Sequence, residues 1–313
     1  MRQSRNHWET ALKAGLRRIG LQARIDRDTG WPKVKLARIT AGDEAARTPP
    51  LVQDPWEALF RSLEGRATAF SCPVEHCVNV NGLNFSAFGW HPFSEVLLQR
   101  MRDPTIEYGG SLLEAYYLGW QPRSAAEALI AFDDAPEILR RLPPHYMYLF
   151  PWGNKTLDEL DQAVRAWYRD DCLEHGQEPE DIVNAGFKEH GPVNRATGQL
   201  ELKRLNAVVD SISQNGYSRE FGDIGVAMIR RGDELRFLNF GGGLHRTAAL
   251  RSLGEQEFPA RLTGPKIIDS SQARFWPQVR RGIWTETQAL RYVDHLFDFD
   301  AREWAKKIGL IAK

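Results

Sequence analysis

What this sequence lacks narrows it first. It has only three cysteines, Cys72, Cys77 and Cys172, in 313 residues, an odd number that excludes a disulfide framework. It has no excess of one charge. The 41 basic residues are matched by 41 acidic ones, against the basic surplus of a DNA-coating or membrane-surface protein. It has no apolar run of membrane-spanning length despite ten tryptophans, so membrane insertion is not expected. Met1 to Trp8 lack the apolar core of a signal peptide, and a cytoplasmic protein is the expectation. No internal repeat or low-complexity tract is found, which excludes solenoids and disordered arms. At this length the chain can bury a sizeable core, as one large or two modest domains.

The cysteines present do not make a convincing metal site. Cys72-Pro73-Val74-Glu75-His76-Cys77 offers two thiols and an imidazole. The cysteine spacing is wider than the usual two-residue hook, however, and no second pair follows. No metal ligand is assigned.

Periodicity lays out the elements. Trp8, Leu12, Leu16 and Ile19 recur at helical spacing, and Val34-Lys35-Leu36 reads as strand. Helices are expected from Pro55, from His91 to Asp103, after Ser111 and after Ser124. Capping boxes stand at Ser111/Glu114, Thr156/Glu159 and Thr285/Gln288. The aromatic group Tyr116, Tyr117 and Trp120 can be core or can floor a ring-shaped ligand. A helix is read over Glu201–Tyr217, with a strand at Gly225–Arg230, a turn at Gly232-Asp233 and a partner strand at Glu234–Phe240.

The stretch Leu235 to Gly254 is the most informative. Apolar strand formers lead into Gly241-Gly242-Gly243, then into a helical face of Ala248, Ala249, Leu250 and Leu253. A glycine turn feeding a helix leaves free N–H groups at the positive end of the helix dipole, which suits an anion. His245 and Arg246 sit in that first turn, where the dipole disfavours cations. Two of them there suggest a phosphate between side chains and backbone; the alternative is a tight corner with an ordinary surface arginine.

The element order from about residue 190 to 263, with Gly-x-His-Arg-x-Ala-Ala at 243–249 and Leu253-Gly254 closing the helix, resembles the ParB/sulfiredoxin-like superfamily. The resemblance implies that Gly243, His245 and Arg246 contact nucleotide phosphates, with Gly241, Gly242 and the Thr247 backbone beside them. Sulfiredoxins resemble Phe-Gly-Gly-Cys-His-Arg at this turn; here Leu244 replaces the cysteine nucleophile, which excludes sulfinic-acid reduction. Chromosome-partitioning ParB proteins carry Gly-Glu-Arg-Arg and a following helix-turn-helix, and neither is found here, so a nucleic-acid partner is not expected. Free-amino-acid kinases look like Gly-His-His-Arg and use an upstream carboxylate as base. Stretches at Ser111–Pro122, 191–193 and Glu201–Ser211 are also similar to uncharacterised proteins of bacterial surface-polysaccharide clusters, implying a sugar or glycan acceptor.

The expected activity is therefore a kinase using ATP or another nucleotide with Mg²⁺ on a small hydroxyl acceptor. The alternative is a non-catalytic ParB-like nucleotide- or DNA-binding module. The expected catalytic residues are Glu201 as base, ahead of Asp210 and Asp223, with His245 and Arg246 supplying the electrostatics. Arg204, three residues after Glu201, can simply pair with it. The expected fold is α+β, a small mixed sheet with helices. Residues 1–150 are a mainly helical region that helps bind acceptor, 151–265 the nucleotide domain and 266–313 a helical extension.

Overall fold

The computed structural model describes residues 48–311, apart from 184–185, 187–188 and 240–241, and before them two strands. The helix expected over Trp8–Ile19 lies outside the described residues. The chain divides into two compact units, residues 1–50 and 51–313. In the first, β1 (Leu21–Asp26) pairs antiparallel with β2 (Lys33–Arg38), with Leu21 opposite Arg38. β2 covers the strand-like run at Val34.

The second unit is α+β, a mixed sheet with flanking helices. Its strands are β3 (Leu51–Val52), β4 (Ala69–Pro73), β5 (Cys77–Val78), β6 (Ile224–Arg231), β7 (Glu234–Leu238) and β8 (Glu257–Asp269), in the order β3-β4-β8-β6-β7-β5. β6 and β7 form the expected hairpin around Gly232-Asp233, with Gly232 at a φ of 59°. β6 runs parallel to β8, and β4 antiparallel to it. Strands from before residue 150 therefore share one sheet with those around the glycine turn.

Strand alternation builds two cores. Ile224, Val226 and Met228 of β6 join Phe237, Phe258 and Ala260 in one apolar cluster. Ala227 and Ile229, at the intervening positions, join Leu238, Ile268 and Trp284 in the other. Because successive strand residues face opposite ways, both faces of the sheet are covered. The first face carries α1 (Pro55–Leu63), α2 (Pro92–Arg102) and α3 (Leu112–Gly119). The second carries α4 (Leu157–Glu174). α5 (Arg195–Asn215), α6 (Leu244–Ser252) and α8 (Ala301–Lys307) also cover the first face; α7 (Glu286–Asp298) covers the second. Tyr116 and Tyr117 are fully buried in the first core, and Trp120 packs edge-on against Trp304 at 5.2 Å. The aromatic group is core.

Capping follows the sequence closely. Thr156 and Thr285 form reciprocal boxes with Glu159 and Gln288. Ser111 accepts from the Glu114 N–H, but the Glu114 carboxylate instead takes the Gly110 N–H at 2.7 Å. α5 starts six residues earlier than its periodicity predicts. Asn194 caps it by accepting the Thr197 N–H at 2.8 Å. Gly198 sits inside it because a Cβ there would fall 2.1 Å from the Tyr108 ring. Glu201 is thus in the second turn of a long helix and not at its start. No helix among the described residues is long and apolar enough to cross a membrane.

Candidate functional site

The end of β7, the glycine turn and the start of α6 are held by one buried link. Asn239 follows β7, and its backbone N–H donates to Val78 O at 2.9 Å. Its Nδ2 donates to Thr247 Oγ1 at 2.6 Å, and both residues are inaccessible to solvent. Thr247 Oγ1 donates in turn to Gly243 O at 3.2 Å, and the Thr247 N–H closes the first helical bond to the same oxygen at 2.9 Å. The Thr247 backbone is therefore engaged within the helix. Gly241 lies outside the described residues.

Gly243 is the N-cap of α6, in the left-handed region at a φ of 99°. A Cβ there would fall 2.8 Å from Ile224 Cγ2, so both conformation and space call for glycine. Gly242, at a φ of 145°, is exposed, with nothing within 4 Å of where a Cβ would be. No side chain caps this helix. The N–H groups of its first turn lie at the dipole's positive end beside an open glycine, a geometry suited to an anion.

α5 brings Glu201 to that turn. Glu201 is buried, and its Oε1 lies 2.5 Å from His245 Nε2. Its Oε2 accepts from Arg204 Nη1 at 3.1 Å, as the i,i+3 spacing predicts. Asp171 of α4 lies 3.6 Å from the same guanidinium nitrogen. Glu201 is thus a bridge between His245 and Arg204, and Phe93 covers the imidazole with ring centroids 5.3 Å apart. An ionised carboxylate only accepts, so in the neutral imidazole the proton lies on Nε2 and the Nδ1 lone pair remains for chemistry. Burial, and then the Glu201 charge, hold the Tyr117 phenol well above its ordinary pKa.

Arg246 turns from its helix to the loop before β6. Its Nη1 donates to Gly222 O at 2.6 Å, with Tyr217 Oη 3.4 Å away. The two reserve bases are held elsewhere. Asp210 makes a two-pronged ion pair with Arg100 at 2.8 and 3.0 Å. Asp223 makes one with Arg219 at 2.6 and 2.8 Å.

Cys72 and Cys77 are both buried, their sulfurs 3.8 Å apart. Burial, together with the neighbouring Cys77 thiol, pushes the Cys72 thiol well up, a setting for a neutral thiol there. Among the described residues no three His, Cys, Asp or Glu side chains gather at metal-binding distance.

Asn239 is the residue that sequence reasoning passed over. The only sign of it was one amide inside an otherwise apolar strand run, Phe237-Leu238-Asn239-Phe240. No family model, curated protein or solved structure matches the chain.

Proposed function

We propose that the chain is a nucleotide-dependent phosphotransferase of the ParB/sulfiredoxin-like kind, with its phosphate site at Gly242-Gly243 and the first turn of α6. One observation carries this reading: the contact between buried Glu201 and His245 at an uncapped, glycine-led helix start. Glu201 orients His245 and stabilises the imidazolium it becomes, while Nδ1 takes the acceptor's hydroxyl proton. The base role expected of Glu201 passes to His245, because both carboxylate oxygens are already engaged. The acceptor oxygen then forms a bond to the terminal phosphorus, and the bond to the leaving nucleoside diphosphate breaks with its electrons. The backbone N–H groups of residues 244–246 would receive phosphoryl oxygens, and Arg246 braces the neighbouring loop through Gly222.

An open glycine-led helix start fits nucleotide phosphates. A Mg²⁺ ion held chiefly by those phosphates needs only one or two protein carboxylates and would neutralise their charge. The acceptor class, a sugar or glycan intermediate of surface-polysaccharide synthesis, rests on the family resemblance alone.

The test is binding and turnover of ATP, ADP, CTP and GTP, each with Mg²⁺, by wild type, Arg246→Ala and Glu201→Gln. One nucleotide is expected to bind the wild type, and Arg246→Ala to weaken it. Glu201→Gln should keep binding and lose turnover about 100-fold or more, the scale of a lost acid–base group. If no nucleotide binds the wild type, the glycine turn is a structural corner and the kinase reading ends. Binding without turnover in the presence of hydroxyl acceptors would favour the non-catalytic module.

A further inference from the structure

A cavity of about 420 Å³ is lined by none of the residues of the glycine turn. It is lined by residues of the 84–91 loop and of α2, by Arg251 in the last turn of α6 and by Arg302 of α8. His245 and Arg251 stand at opposite ends of the nine-residue α6, separated by about 9 Å of helical rise. The volume falls in the range of small-molecule sites.

Two features of its wall point to a ligand. The first is a set of unused polar atoms. Among the described residues ten buried side-chain polar atoms have no hydrogen-bond partner, and three of them belong to this wall: Trp90 Nε1, His91 Nε2 and Ser94 Oγ. All three residues are at least nine-tenths buried. Such atoms are rare in folded proteins, because each forfeits its hydration without return. His91 caps α2 by accepting the Phe93 N–H on Nδ1 at 3.2 Å, so its neutral ring carries the proton on Nε2. Burial first, and the nearby His245 second, depress its pKa to about 3. His91 is thus a neutral donor across the physiological range, like Trp90 Nε1 and the Ser94 hydroxyl.

The second feature is charge. Three guanidinium groups, those of Arg102, Arg251 and Arg302, line the cavity with a single carboxylate, Glu95. Among the described residues Arg251 reaches only the carbonyl of Ser86, at 3.4 Å, and Arg102 the carbonyl of Leu98 at 3.2 Å. Burial raises the Glu95 pKa against the pull of these arginines. An excess of guanidinium along the wall complements an anion with several acceptor oxygens.

We infer that this cavity is a second ligand site, separate from the glycine turn, that takes a small organic dianion, a phosphate monoester or a dicarboxylate. Guanidinium forks bind either group in two-pronged fashion.

The inference is tested by calorimetric titration of the full chain with inorganic phosphate, glycerol 3-phosphate, glucose 6-phosphate and succinate. The proteins are wild type, Arg251→Ala, the double variant Arg102→Ala/Arg302→Ala and Arg246→Ala. Arg102 and Arg302 are exposed, so the double variant keeps its fold even if Arg251→Ala does not. At least one probe is expected to bind wild type, with affinity falling tenfold or more in the double variant and unchanged in Arg246→Ala. The phosphate and succinate arms tell which anion is preferred. No binding by any probe, or equal binding by the double variant, overturns the inference. So does loss in Arg246→Ala, which would put the anion at the glycine turn. Nucleotide binding at the turn is measured separately, so either site can fail alone.

Discussion

Asn239 and Thr247 meet in the fully buried layer beneath the glycine turn, with Nδ2 donating to Oγ1 at 2.6 Å. This contact ties the chain after β7 to the first turn of α6 across eight residues. It fixes where the helix can begin, and so the direction in which its free N–H groups point.

Thr247→Val keeps the shape of the side chain and removes its oxygen. The Asn239 amide, whose Oδ1 is already unpartnered, then loses its Nδ2 acceptor as well. A destabilisation of about 1–3 kcal/mol is expected, the cost of an unsatisfied buried polar group. Thr247→Ser, which keeps the hydroxyl, should lose less than half as much. Urea unfolding of the two variants measures this directly. No loss in Thr247→Val would show that the hydrogen bond does not carry the stability.

Gly243→Ala combines a left-handed φ with a Cβ 2.8 Å from Ile224. Backbone strain alone costs about 1–2 kcal/mol, and the Ile224 contact adds to it. The expected result is a thermal midpoint several degrees lower, with nucleotide binding weakened as the helix start shifts. If Gly243→Ala is as stable as wild type, the turn is not held in the conformation described.

Three buried histidines set a pH dependence. Burial depresses His91 to about 3 and His190 and His295 to about 4, against about 6.5 in an unfolded chain. Below pH 6.5 the unfolded chain binds protons that the folded chain refuses. Their contribution is therefore fully present above pH 6.5 and is lost progressively as pH falls towards 4. Each adds at most about 1.4 kcal/mol per pH unit to the slope. The urea midpoint should fall between pH 7 and pH 5, well above the range where carboxylates protonate. An unchanged midpoint across that interval would show that these rings accept protons in the folded state.

Much of the layout was legible in one dimension. The turn at Gly232-Asp233 follows from glycine's access to positive φ, and the boxes at Thr156 and Thr285 from the reach of a hydroxyl to the third N–H. The pairing of Glu201 with Arg204 follows from helix spacing. Each of these is local, decided by atoms within a few residues of one another, so sequence spacing is enough to fix it. Periodicity alone places the start of α5 too late, because only the fold shows Tyr108 occupying the space that a Cβ at Gly198 would need.

The sequence by itself therefore determined the periodic elements, the glycine-led start of α6 and the α+β class of the sheet unit. Tertiary structure alone decided which charges distant in sequence meet. It joined Glu201 to His245 across 44 residues, tied Asp210 to Arg100 across 110, and drew Arg102, Arg251 and Arg302 to one cavity. The physical reason is that a carboxylate takes whatever donor burial leaves beside it. That choice depends on how helices pack on a sheet, and no spacing along the chain encodes it.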